Sequence, residues 1–276
     1  MNPSVTFVPA DEMPTIHQAI LDANITRYLA AAGMVIVIYD QLLSLPEEVD
    51  MFWKGRRSLS TSLYLTNRYL VPAILITTAY QMCGFNSPLS HMRCRLLISI
   101  PAVLGTILLG VAFLLVFMTV VQIWENCRLV VWVLSGCLIL SFCTMSAMLG
   151  IAIVQMWDGI TYSSEADMCI MQTVSKSLVG VFAAPMVFDL MALGCIVMNT
   201  LSRPRRADLL LYKALCSDGI IFFATFAFLH VSEVALSATL QPNYIFMSVY
   251  FVCPLTNASL SHLLFNIRRF DLDSWK

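Results

Sequence analysis

The sequence predicts an all-α, multi-pass membrane protein, a seven-helix bundle with its N-terminus outside and its C-terminus inside. Three observations carry that expectation. Of 276 residues, 59% are hydrophobic and only 12% charged, where a soluble domain carries roughly a quarter charged residues; mean hydropathy is +0.79. The apolar residues fall into seven runs, each near the roughly 20 residues that a helix needs to cross a bilayer core. The Lys and Arg between those runs collect on one side. A net charge of −1 offers nothing to nucleic acid.

The spans are expected at Tyr28 to Leu45, Ser60 to Met82, Ile98 to Ile123, Leu129 to Val154, Leu178 to Asn199, Leu209 to Leu236, and Tyr244 to Phe265. Before them, residues 1–26 read as a short extracellular tail. It lacks a basic stretch followed by an apolar one, so no cleavable signal peptide is expected and the first helix serves as the insertion signal. The apolar run from Leu96 to Val154 is far too long for one span. Glu125, Asn126 and Arg128 are its strongly polar cluster, so the break between helices three and four is placed at Gln122 to Arg128. The seven-helix domain covers residues 28–266, and residues 267–276 form a cytosolic tail.

Orientation follows from the bias of Lys and Arg toward the cytoplasmic side. With the N-terminus outside, Lys54, Arg56, Arg57, Arg128, Arg203, Arg205, Arg206, Lys213, Arg268, Arg269 and Lys276 fall inside. Arg27, Arg93, Arg95 and Lys176 fall outside, and Arg68 lies within a span. The secretory pathway and the plasma membrane are the expected location. The sequon Asn24-Ile25-Thr26 faces outward but lies almost against the first helix, and Asn257-Ala258-Ser259 lies inside the last one.

The first inner loop has the strongest local signal. Ser44-Leu45-Pro46-Glu47 has the form of a capping box, with Ser44 as N-cap and Glu47 reaching back. Val49, Phe52 and Trp53 then share one face, and Lys54, Arg56 and Arg57 crowd the end at Gly55, where a helix dipole favours cations. This predicts a short helix on the inner membrane surface with Trp53 in the interface. It serves either as an anchoring loop or as a docking surface for a cytosolic partner.

The same stretch carries a family resemblance. Tyr39-Asp40-Gln41-Leu42-Leu43-Ser44-Leu45-Pro46-Glu47-Glu48-Val49, then Phe52-Trp53, then Leu63-Tyr64-Leu65-Thr66-Asn67-Arg68-Tyr69-Leu70 resembles the signature of a fungal membrane family, domain of unknown function 6533, over residues 27–71. Phe188-Asp189-Leu190, Ser217-Asp218-Gly219 with its apolar sequel, and Leu264-Phe265-Asn266-Ile267-Arg268 are weaker echoes of the same family. Its usual Arg-x-Tyr at the end of the third helix is replaced here by Met118-Thr119-Val120. The resemblance implies a seven-helix protein of unassigned function.

Ionisable groups inside spans are costly, at least about 2.5–3.5 kcal/mol each on insertion scales, so they are expected to face the bundle and find partners. Asp40 near the inner end of helix one and Arg68 in helix two are expected to pair. Asp189 and Asp218 are expected at similar depth on adjacent helices, where two carboxylates would hold a proton or a cation. His230 and Glu233 lie toward the outer end of helix six, and Asn257 and His262 give helix seven a polar stripe.

Of nine cysteines, Cys83, Cys94 and Cys169 fall on the outer side, where disulfides persist. A Cys94–Cys169 bridge is favoured, tying the long loop from Gln155 to Ser177 over the bundle mouth, with Cys83 the competing partner for either. Cys127 and Cys216 near the inner surface are acylation candidates, and Cys137, Cys143, Cys195 and Cys253 read as packing residues. Pro101, Pro185 and Pro254 interrupt helices three, five and seven. Each removes a backbone donor and can kink its helix.

Helix seven has no Lys, so a retinal has no attachment point. No phosphate loop, metal-ligand spacing or nucleophile grouping appears, and neither a cofactor nor an enzymatic activity is expected. The leading expectation is a receptor-like protein that binds an unknown small ligand or a cytosolic partner. The alternative is a secondary transporter or proton-linked carrier that uses Asp189 and Asp218.

Overall fold

A chain segment that is apolar all round is stable as a helix in an apolar surrounding, because a helix satisfies its own backbone groups. The computed structural model describes residues 13–54, 58–82, 90–125, 127–163, 168–171, 173–202, 210–239, 245 and 248–273. Within these lie seven long helices: α1 (Met13–Glu48), α2 (Leu59–Met82), α3 (His91–Ile123), α4 (Arg128–Met156), α5 (Ser177–Ser202), α6 (Leu210–Ala238) and α7 (Cys253–Asp273). Five stretches are long and apolar enough to cross a membrane by length and composition: Asn24–Trp53, His91–Ile123, Arg128–Gly159, Ser177–Asn199 and Ile221–Ala238. The two helices outside that set, α2 and α7, bear Asn67, Arg68, Asn257 and His262. Large apolar side chains cover the exterior, Trp132, Val154 and Phe228 among the most exposed. A contiguous apolar exterior of this kind fits contact with lipid.

Each helix packs against its neighbour in sequence, α1 against α7 closes the ring, and α3 also reaches α5. The core is made of side chains such as Phe113, Val120, Leu134, Met145, Phe188 and Phe223. One end of the bundle holds the connection between α1 and α2. The other holds a short antiparallel hairpin, β1 (Ile160–Ser163) and β2 (Met168–Met171), with Ile160 opposite Met171 and Tyr162 opposite Cys169. These are called the turn end and the hairpin end below.

Several expected boundaries move. α1 begins at Met13, so part of the expected N-terminal tail is helical. At its other end α1 runs through Pro46 to Glu48 and continues as a π-turn, Val49–Trp53. The separate interfacial helix capped by Ser44 is therefore not formed. Ser44 Oγ instead bonds back to the Asp40 carbonyl inside α1, at 2.5 Å, and Glu47 reaches across to Arg269 of α7 at 2.9 Å. A capping box needs a chain break before it, and none exists at this point. Gly55, Arg56 and Arg57 lie outside the described residues.

The break between α3 and α4 does form. α3 ends at Ile123, Glu125 takes a left-handed conformation at φ 51°, and α4 resumes at Arg128. Trp124 Nε1 donates to the Cys195 carbonyl on α5 at 3.0 Å, which fixes the corner. The loop expected from Gln155 to Ser177 contains the hairpin.

Prolines set two close helix contacts. Pro72, in α2, cannot donate to the Arg68 carbonyl. Gln41 of α1 donates to that carbonyl instead, at 2.5 Å. Pro254, in α7, likewise cannot donate to the carbonyl of Tyr250, which lies in the π-turn Ser248–Val252. That oxygen points at Gly33 of α1 and would lie 1.8 Å from a Cβ there. Only glycine permits the approach.

Candidate functional site

Two polar centres occupy the bundle. The first lies at the turn end, on α1, α2 and α7. Arg68 lies nine positions into α2 from Leu59, and Ser44 lies nine before the end of the π-turn at Trp53, so the two share a depth. Arg68 Nη2 donates to Ser44 Oγ and Arg68 Nε to Glu48 Oε2, each at 2.5 Å. Both charged side chains are 1% exposed. The other Glu48 oxygen accepts from Trp53 Nε1 at 3.0 Å and Tyr69 OH at 2.8 Å. Phe52 stacks on Tyr64, and Phe265 meets both edge-on. The guanidinium carbon lies 5.7 Å from the Tyr64 ring and 5.4 Å from the Phe265 ring, within cation–π range.

The expected Asp40–Arg68 pair is thus corrected. Arg68 pairs with Glu48, and Asp40 accepts from or donates to His262 Nε2 at 2.7 Å. The physical reason is depth. Once α1 continues past Pro46, Asp40 lies a turn farther from the turn end than Ser44, while Glu48 comes within reach of Arg68. Glu48 was legible only to a reading that let α1 run on, since Ser44 and Glu48 are four residues apart and share a face. Of the residues assigned to the interfacial helix, Ser44 and Trp53 serve this cluster, and Glu47 forms a half-exposed ion pair at its rim.

The second centre is a cavity of about 280 Å³ in the hairpin-end half of the core. Its lining comes from α2 to α7 and the hairpin, and is mostly apolar: Val71, Leu75, Ile98, Leu149 and Val249 are representative. Ile160 and Met171, the facing residues of β1 and β2, also line it. The hairpin is held over the bundle by the Cys94–Cys169 disulfide, with Cα atoms 5.5 Å apart. Arg95 of α3 adds an ion pair to Asp158 at 3.0 Å and lies 5.5 Å from the Trp157 ring. Cys83, the competing partner, lies outside the described residues.

The imidazole and carboxylate of the lining lie on one wall. His230 and Glu233 of α6 line the cavity. His230 Nδ1 hydrogen-bonds Asp189 Oδ2 of α5, and its Nε2 lies 3.7 Å from Glu233 Oε2. Cys253 Sγ donates to Glu233 Oε1 at 3.5 Å. These acids and the imidazole are at most 4% exposed. Asp189, expected at similar depth to Asp218, bonds His230; the Asp218 side chain lies outside those described. Toward the turn end, Asn67 Nδ2 donates to Asn257 Oδ1 at 2.9 Å. Both amides line the cavity, and Asn67 immediately precedes Arg68. The two centres therefore meet at this α2–α7 bond.

Among the described residues, no group of three or more His, Cys, Asp or Glu is arranged to hold a metal ion. Residues 28–73 match the model of a family of unknown function (DUF6533). The matched segment holds Gln41, Ser44, Glu48, Asn67, Arg68 and Tyr69, and so most of the turn-end cluster; none of the cavity's acidic wall falls within it. No curated protein and no solved structure matches the chain.

Proposed function

We propose that this chain is a receptor-like, seven-span integral membrane protein of the plasma membrane, N-terminus outside and C-terminus in the cytosol, that holds a small, largely apolar ligand in the hairpin-end cavity. The observation that carries this reading is the cavity itself. It is concave, mostly apolar, supplied with a few convergent polar groups, and roughly at the lower end of the 300–1,000 Å³ typical of ligand sites. The hairpin tied above it is the part of the structure that a ligand arriving from outside would meet first. The Arg68–Glu48 cluster at the opposite end holds α1, α2 and α7 together, and the Asn67–Asn257 bond is a direct physical link between the two.

Two measurements test this. In intact cells, a C-terminal tag should resist external protease while an N-terminal tag is cleaved; the reverse would overturn the topology. In purified protein, a compact hydrocarbon such as propylbenzene should raise the thermal midpoint with saturable dose dependence. Gly105, which lines the cavity and is exposed at the bundle surface, has nothing within 4 Å of a Cβ position. A Gly105→Phe variant should fold and bind the hydrocarbon more weakly.

A second reading is favoured by one observation, the buried run of Asp189, His230 and Glu233 that ends on the cavity. Such a run suits a proton-linked carrier. In liposomes a carrier would move protons in a substrate-dependent way and Asp189→Asn would stop it; a receptor would move none.

A further inference from the structure

We infer that the hairpin-end cavity takes a small organic cation, a protonated amine on a compact hydrocarbon body, with its charge set against the Glu233 carboxylate. The inference rests on the cavity being a ligand site, and names the class of ligand.

Charge balance comes first. The acidic wall contains two carboxylates, Asp189 and Glu233, and one imidazole, His230. Asp189 takes the direct contact with His230. Glu233 stands 3.7 Å from the other ring nitrogen, too far for a hydrogen bond. Its closest donor among the described contacts is the thiol of Cys253 at 3.5 Å, and a thiol is a weak donor. With His230 protonated and both carboxylates ionised, one negative charge is left over. Among the described residues that line the cavity there is no Lys or Arg.

Burial makes that excess consequential. Glu233 is 3% exposed, and a buried carboxylate without a full partner is costly unless it takes up a proton or a cation. A ligand cation supplies the missing charge and takes up acceptor capacity that the protein leaves unused. A neutral ligand of the same shape gains only apolar contact. An anion meets a like charge. The hydrocarbon body follows from the rest of the lining, which is mostly apolar. Ser99 Oγ, buried on the α3 wall with no hydrogen-bond partner among the described residues, offers one further polar contact.

The test uses the full chain, purified in a neutral detergent, and three probes of similar shape: 2-phenylethylammonium, propylbenzene and phenylacetate. Dose-dependent thermal stabilisation at pH 7 gives their affinities. The ammonium is expected to bind at least tenfold more tightly than propylbenzene, with phenylacetate weakest. Glu233→Gln should bring the ammonium down to the level of propylbenzene, and Glu233→Asp should keep the order seen in the native chain. If Glu233→Gln fails to fold, the native ranking and Glu233→Asp still decide. Equal binding of ammonium and propylbenzene, or an ammonium preference that survives Glu233→Gln, would overturn the inference and leave the ligand-site reading standing. Saturable binding by none of the three would remove both.

Discussion

At the turn end, Arg68 and Glu48 are enclosed together, and the carboxylate accepts three side-chain donors while the guanidinium sits among aromatic rings. In the cavity wall, Asp189 and Glu233 share one imidazole, and Glu233 is left with a thiol. Both centres are buried, and both put charge where it is expensive. The first neutralises it internally and makes structure. The second leaves Glu233 incompletely partnered beside open volume. The contrast separates two ways of testing a residue. Changes at the turn end should be read mainly in stability, and changes at the acidic wall mainly in ligand preference.

The largest effect is expected at Arg68. Arg68→Gln leaves Glu48 buried and unpaired and should cost about 3–5 kcal/mol. Combined with Glu48→Gln in a double-mutant cycle on thermal stability in detergent, the loss should be far from additive. Asp40→Asn should add to Arg68→Gln independently, because Asp40 bonds His262. Coupling between Asp40 and Arg68 as strong as between Glu48 and Arg68 would break the assignment of partners.

Next comes the disulfide that closes the hairpin over the cavity. Cys94→Ser should lower stability by about 2–4 kcal/mol, and reduction of the native protein should do the same. If ligand stabilisation survived intact, the hairpin would not be part of the site.

Gly33→Ala probes neither charged centre but the contact of α1 with the π-turn that leads into α7. The added methyl meets the Tyr250 carbonyl, and overpacking of this kind costs about 1–3 kcal/mol. A variant as stable as the native chain would mean that α1 and this π-turn do not approach so closely.

The smallest effect is expected at the rim of the turn end. Arg269→Ala removes an ion pair to Glu47 whose side chains are about half exposed, and such pairs contribute roughly 0–1 kcal/mol. A loss comparable to that of Arg68→Gln would erase the distinction between buried pair and rim.

How far the sequence reached can be judged at particular residues. The α3–α4 break was legible because Glu125 and Arg128 interrupt an apolar run too long for one helix. The polar residues of the centres were also legible as types, since Arg68, Asp189, His230 and Glu233 stand out in apolar surroundings. Their partners were not. Pairing depends on depth, and depth depends on where α1 ends; a capping pattern at Ser44 shifted that end by a turn. Gln41 and Gly33 gave no signal of their own, because their roles answer prolines on other helices.

By itself, the sequence determined a helical chain of apolar segments, with one element for each long run and charged residues that must find partners inside. Composition suffices for that, because a helix satisfies its backbone locally. Only the tertiary structure decided that Glu48 and not Asp40 meets Arg68, that His230 joins Asp189, and that a cavity opens beside Glu233. Those outcomes depend on register between helices and on the volume left between them, and neither is a property of any one segment.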